Sequence, residues 1–552
     1  MESNVERSCN VARFLPARAA AQPDRSALKI PLRSRGGLAY QSLSFAELDR
    51  EVDRRCRILT ARGIRRGQRV LLMVRPGRDL IVIVFSLFKI GAVPVVIDPG
   101  MGWHSFLHCV ERTRPEALIA IPLGLAVSRV FRGAFRGVKV RLGAGGGKES
   151  PGESDDSFPV CHCDSVDPAA ILFTSGSTGP AKGVCYRHGM FEAQVGAIRD
   201  HYGIEPGEVD LPMLPVFALF NPALGMTTVV PEMNPSRPAA VDPSRIVEAI
   251  NTCGVTNSFG SPVLWAKIGD YCRRHGITLP SLRRLLMAGA PVPPGLVEVY
   301  RDILGEGRIH SPYGATEALP VSSISGSGIL NETRERTETG AGTCVGFPFA
   351  GIRVKVVRIT DEPSHGSAGI SSLPAGEIGE ILVSGPVVTR EYDGLPEATA
   401  AAKVEEGGTL WHRMGDAGYL DDVGRLWFCG RVVERVQTPE GDLYTDCCEA
   451  IFNRVEGVFR SALIGLGRKG EQLPAIVVEP RAGAFPRSAA DREAFVRSLR
   501  RAGAEHEMTR GIERFFFEKR FPVDVRHNAK IHRLTLAKRC SGRVPETVPA
   551  AD

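Results

Sequence analysis

Short apolar, β-branched runs alternate with helix-length stretches early in this chain, and that alternation narrows the possible folds more than any other feature. Arg69–Val74, Val93–Ile97, Ala117–Ala120 and Ala169–Phe173 read as buried strands, separated by stretches such as Phe45–Arg62. Strands that are apolar on both faces need helical crossovers, so the pattern predicts parallel sheets covered by helices. The most apolar stretch, Leu80 to Pro99, contains Lys89, Gly91 and Pro94. It therefore reads as a core helix ending near Gly91, followed by a buried strand, and not as a membrane span. From Gly379 to Phe428 the texture changes: Glu380–Val383 and Leu426–Cys429, bracketed by Gly and Asp, suggest a smaller β-rich layer. Gly143–Ser157 and Gly326–Gly342 read as exposed flexible stretches. The main boundary is expected at Val433–Arg435, giving an N-terminal domain over 1–433, with its β-rich part at about 345–430, and a C-terminal domain over 434–552.

Composition excludes several function classes. The 552 residues are 43% hydrophobic and 24% charged, the profile of a globular protein. A net charge of +7 is mild, and no Lys/Arg run is interleaved with aromatics, so nucleic acid is not an expected partner. The 13 cysteines lack zinc-site spacing, although Cys161 and Cys163 flank His162 and Cys447 adjoins Cys448; free thiols are expected. Arg7, Arg13, Arg18 and Arg25 interrupt any apolar leader, which makes the cytoplasm the expected location.

The chemistry concentrates in Phe173 to Val184, reading FTSGSTGPAKGV. After a buried strand come Thr174, Ser175, Gly176, Ser177, Thr178 and Gly179, then Lys182. Glycines let backbone N–H groups turn inward on an anion, hydroxyls add neutral donors, and Lys182 supplies a charge for phosphates. The spacing is not that of the G-x-x-x-x-G-K-[ST] loop, and the imitation at Gly143–Lys148 is followed by Glu149.

Further motifs occur in order: Met287-Ala288-Gly289-Ala290-Pro291, Tyr313-Gly314-Ala315-Thr316-Glu317, Trp411 to Asp416, Gly430-Arg431, and Asn528 to Arg533 around Lys530. Together with the loop they resemble the adenylate-forming superfamily of acyl-CoA synthetases, peptide-synthetase adenylation domains and beetle luciferases, over nearly the whole chain. The resemblance implies an α/β fold: a large N-terminal domain of two helix-covered sheets plus a β-rich subdomain, with a small mobile α+β C-terminal lid. It also implies ATP and Mg²⁺. Gly289, Ala290, Pro291, Gly314 and Ala315 would border the nucleotide, and Tyr313 would stack on adenine. Thr316 would contact the α-phosphate, and Glu317 would hold Mg²⁺. Asp416 would grip the ribose, and Arg431 would lie near ribose or phosphate. Lys530 would bridge the acyl carboxylate and the α-phosphate.

Two departures bear on the step after adenylation. Leu214-Pro215-Val216-Phe217-Ala218 has alanine where many relatives carry histidine, and Phe217, Ala218, Leu219, Phe220 and Met226 are candidates for an acyl pocket. After Gly430-Arg431, Pro439 and Glu440 replace two glycines that CoA ligases keep beside the pantetheine arm; Pro fixes φ and Glu adds bulk and charge. With the segment Leu211–Pro243, these features are most similar to the olefin β-lactone synthetases of bacterial long-chain hydrocarbon biosynthesis. That family activates a 2-alkyl-3-hydroxy fatty acid as acyl-AMP and closes the β-hydroxyl onto the carbonyl, beside a β-lactone decarboxylase and a reductase. A fatty acyl-CoA or acyl-carrier-protein ligase using the same adenylate is the alternative, and a non-enzymatic acyl-AMP sensor a third. No base for the hydroxyl is legible.

Overall fold

The computed structural model describes residues 8–34, 37–145, 156–174, 180–234, 240–305, 307–360, 370–524 and 530–547. Its N-terminal part holds two sheets. In the first, Val140–Gly143, Ala117–Ala120, Arg69–Met73, Val93–Val96 and Pro168–Thr174 run parallel in that spatial order, and Lys182–Arg187 closes the edge antiparallel. The four strands expected from the apolar runs are all present in it.

The helices between the strands arise from the residue pattern. Phe45–Ala61 starts on a capping box, with Ser44 accepting from the Glu47 amide and Glu47 accepting in return. Phe45, Leu48, Val52, Cys56 and Leu59 recur on one face and are wholly buried. The apolar stretch Leu80–Pro99 divides as expected, into a helix Arg78–Ile90, a left-handed Gly91 with φ of 79°, and a strand Val93–Val96. Lys89 is buried inside that helix because Asp53 and Asp49 (3.1 Å) pair with it. Among the described residues no helix is long and apolar enough to cross a membrane.

In the second sheet, Val209–Pro212, Asn257–Gly260, Arg284–Met287 and Arg308–Ala315 are parallel neighbours. Ala318–Ser325 returns antiparallel, and Thr343–Pro348 links it to Leu426–Arg431 and Thr409–Leu420. The β-rich stretch is thus continuous with the second sheet through hydrogen bonds. This continuity brings Tyr313 and Asp416, 103 positions apart, within bonding distance.

A smaller C-terminal part has its own sheet, Val458–Leu466, Leu473–Pro480 and Arg514–Phe517, with helices Thr445–Phe452, Ala489–Ala504 and Arg533–Cys540 against it. Its core, which includes Phe452, Leu463, Ile476 and Phe515, is separate from the N-terminal cores. The large N-terminal domain with a small α+β C-terminal domain is therefore the observed architecture.

One expectation is corrected. Gly326–Gly342 is not an extended flexible loop: it is helical from Gly326 to Glu338, with a wide turn at Ile329–Thr333. Ser325 caps the Gly328 amide, and Ile329 and Thr333 are buried, so packing overrides a Gly/Ser-rich sequence. The other such stretch, Gly143–Ser157, lies mostly outside the described residues. All 13 cysteines are free, as expected.

Candidate active site

The ends of the parallel strands in the second sheet meet the edge of the β-rich strands, and most of the motif residues collect there. Tyr313 and Gly314 close the strand Arg308–Ala315. Gly314 has no room for a side chain, since a Cβ would lie 2.8 Å from the Ala318 carbonyl oxygen. Asp416 and Arg431 face each other in register on adjacent strands. Tyr313 Oη donates to Asp416 Oδ2 at 2.5 Å, and Arg431 Nη1 donates to Oδ1 at 2.6 Å. Burial and the Asp416 charge raise the Tyr313 phenol well above its ordinary range. Asp416 is only 4% exposed, and a carboxylate has about four acceptor positions. The Tyr313 and Arg431 bonds take two of these positions. Gly289, Ala290 and Pro291 follow the neighbouring strand Arg284–Met287 after one intervening residue, Ala288, with Gly289 at φ of 94°.

A second group surrounds Glu317. Tyr392 Oη donates to Glu317 Oε1 at 2.9 Å, and Oε2 takes no bond from a described residue. The face of Tyr392 carries Lys182 Nζ at 4.8 Å from the ring centroid. Thr316 accepts from Tyr186 Oη at 2.5 Å through its backbone carbonyl, and Thr389 clamps the Glu317 carbonyl with its amide (2.9 Å) and hydroxyl (3.1 Å). Lys403 Nζ donates to that same Thr389 hydroxyl at 3.2 Å. Burial lowers the Lys403 ammonium to about 7, with Glu317 pulling it back up. His412, almost fully buried beside it, bonds the Ala402 carbonyl at 3.1 Å; burial and the Lys403 charge hold it neutral. The carboxylate oxygen left over is the kind of donor a hard cation takes, and the two lysines beside it suit an anionic ligand.

The loop ahead of Lys182 is only partly described. Thr174 ends one strand and pairs in register with Lys182, which begins the next. Ser175, Gly176, Ser177, Thr178 and Gly179 lie outside the described residues. The register fixes where the loop begins and ends, beside Tyr392 and Glu317.

Rings lead away from Thr316. Tyr186 stacks on Phe191 (5.0 Å), which meets Phe220 (6.2 Å). Phe220 meets Phe217, whose ring lies 3.9 Å from Phe259. Phe217 and Leu219 are half-buried, whereas Ala218, Phe220 and Met226 are buried in the core. Lys530 belongs to the C-terminal domain: its amide bonds Asp524 Oδ1 at 2.9 Å, and its side chain is exposed. Three residues on, Arg533 grips Glu449 with two bonds of 2.7 and 2.6 Å and Glu434 with a third of 2.9 Å.

Sequence reasoning missed Tyr392, Thr389, Lys403 and His412 around Glu317. His412 was inside a quoted motif and Lys403 is a single cation after three alanines, but nothing local ties either to Glu317. Pro439 and Glu440 turn out to form the exposed tip of a hairpin joining Val436–Thr438 to Gly441–Leu443.

Residues 15–393 match the AMP-binding enzyme family. The chain is 44% identical to an olefin β-lactone synthetase from Stenotrophomonas maltophilia (strain K279a), over 97% of this chain and 98% of that one. It is 43% identical to an olefin β-lactone synthetase from Xanthomonas campestris pv. campestris, covering 96% and 97%. Among solved structures, amide bond synthetase McbA from Marinactinospora thermotolerans superposes with a TM-score of 0.77 at 22% identity, covering 97% of this chain and 100% of that one. That likeness speaks to the fold.

Proposed function

Because the chain belongs to the AMP-binding enzyme family, we propose that it is an ATP-dependent β-lactone synthetase acting on a long-chain 2-alkyl-3-hydroxy fatty acid in olefin biosynthesis. The observation that carries this is the 44% identity to the Stenotrophomonas enzyme along 97% of the chain. The exposed Pro439–Glu440 hairpin supports it as well, since an internal nucleophile needs no glycine-lined path for a pantetheine arm.

In the first step a carboxylate oxygen of the acid attacks the α-phosphorus of ATP, the bond to the bridging oxygen breaks, and pyrophosphate leaves. Two anions must approach, so positive charge at the site is the main requirement. Lys182 and Lys403 flank the phosphate side, and Lys530 is the cation that the C-terminal lid, from Glu434 onward, would bring to the reacting centre. Mg²⁺ held by Glu317 Oε2 would neutralise phosphate charge there. Asp416, oriented by Tyr313 and Arg431, would hold the ribose hydroxyls, and the loop from Thr174 to Lys182 the phosphates. In the second step the β-hydroxyl oxygen attacks the acyl carbonyl carbon, the bond to AMP breaks, and the hydroxyl proton is released. Closing a four-membered ring needs an energetic donor and a folded chain, and the aromatic rings from Phe191 to Phe259 would supply the packing. A cytoplasmic setting beside a β-lactone decarboxylase and a reductase belongs to the same reading.

The test is incubation of the purified protein with a 3-hydroxy fatty acid and Mg-ATP without CoA. A β-lactone with stoichiometric AMP is expected. A thioester formed only when CoA is added would replace the proposal by an acyl-CoA ligase.

A further inference from the structure

The helix Pro122–Val130 covers the first sheet beside its edge strand, Val140–Gly143, and it is apolar on the wrong side. Gly124, Val127 and Ser128 face the sheet, which uses its inner face. Leu123, Ala126 and Val130 share the opposite face by their spacing, and Leu123 and Val130 are 64% and 74% exposed. Phe131, the next residue, is 43% exposed. A solvent-facing helix normally carries polar residues there.

Basic side chains flank this apolar ridge. Arg129, Arg132, Arg136 and Arg141 surround a concavity of about 380 Å³ floored by Phe135 and Val138, and Lys139 is exposed alongside. No Asp or Glu occurs from Ala117 to Gly147. The nearest carboxylate partner is Glu111, 3.8 Å from Arg136 on a neighbouring helix. Arg132 and Arg141 are steadied by the Arg129 carbonyl, the Ser128 hydroxyl and the Val138 carbonyl, so their charge stays at the rim.

We propose that this face docks the enzyme on an anionic lipid bilayer, with the arginine concavity taking phosphate headgroups and Leu123, Val130 and Phe131 entering the headgroup–acyl boundary. Charge complementarity and an apolar ridge on one short element are the two requirements of interfacial binding. The inference stands on this surface alone and not on the proposed reaction, although a long-chain acid would itself partition into such a bilayer.

The full chain is tested by flotation with phosphatidylcholine vesicles, with and without phosphatidylglycerol. Binding is expected only with phosphatidylglycerol, and it should fall as salt is raised. Arg129→Glu with Arg132→Glu should weaken it by about tenfold or more, at about a factor of five per lost basic residue. Leu123→Ser with Val130→Ser should weaken it comparably while pyrophosphate release with soluble substrate is unchanged. Both pairs are exposed, and an unaltered thermal transition verifies folding. Equal binding to phosphatidylcholine, no binding to either vesicle, or binding unaffected by both variant pairs would overturn the proposal. So would saturation of the concavity by inorganic phosphate with no vesicle binding, which would make it a soluble-anion site.

Discussion

Arg533 joins three elements through one guanidinium, and its removal has a calculable consequence. Its partners are Glu434, at the junction after Leu426–Arg431, and Glu449, on the helix Thr445–Phe452. Glu449 also accepts the Leu463 amide at 2.8 Å and so ties that helix to the C-terminal sheet. The two carboxylates are 8% and 6% exposed, and burial already raises the Glu434 carboxyl above its ordinary range. Arg533→Ala would leave both without their cation. Breaking a buried pair by removing one partner costs about 3–5 kcal/mol, because the surviving charge is left desolvated. Amide hydrogen exchange reads this locally, without requiring the whole chain to unfold as one unit. Protection in Val458–Leu466 and Leu473–Pro480 should fall by about 10²-fold to several times 10³-fold, since each tenfold is about 1.4 kcal/mol. Adding Glu434→Gln should restore part of it by neutralising one stranded charge. A loss under about fivefold would mean that the cluster behaves like a solvated surface pair, and the reasoning would fail.

The remaining predictions concern charge at and near the site. Lys530→Ala should abolish acid-dependent pyrophosphate release and leave ATP binding intact; adenylation at the native rate would remove Lys530 from the mechanism. Lys403→Met should raise the thermal transition near neutral pH. The ammonium is lowered to about 7 in the fold from an ordinary 10.5, so its stabilising deprotonated form is lost as pH falls through that window. The same variant should lower adenylation at least about tenfold, and undiminished turnover would show that the phosphates do not use this cation. His188 is fully buried with neither ring nitrogen bonded to a described residue, and burial lowers it from 6.5 to about 4. Stability from its neutral form is complete above pH 6.5 and declines below it, by about 2 kcal/mol at pH 5. His188→Phe, beside Phe88, should flatten the denaturation midpoint between pH 7 and 5 by that amount, and an unchanged slope would refute it.

What the sequence reveals differs between the anion-binding parts and the charges around them. The loop from Thr174 to Lys182 is legible because the chemistry expected of it is local: hydroxyls, glycines and one lysine fall within nine consecutive positions. Strands such as Ala117–Ala120 are legible for a similar reason, because burial on both faces leaves an unbroken apolar run. The helix within 326–338 was hidden, since its stability comes from Ile329 and Thr333 packing elsewhere and its Gly/Ser start argues against it. The surroundings of Glu317 were hidden more completely. Tyr392 reaches it only because Val184 and Tyr392 form a bridge and the Asp393 amide bonds the Gly183 carbonyl at 2.7 Å, which stitches two distant segments together. That stitch carries Lys403 and His412 in with it. On the proposed mechanism, the charge that lets two anions meet is therefore set by sheet pairing between segments about 200 positions apart, and a substitution at Val184 or Gly183 that opened the bridge would alter the site without removing any side chain proposed to contact the ligands.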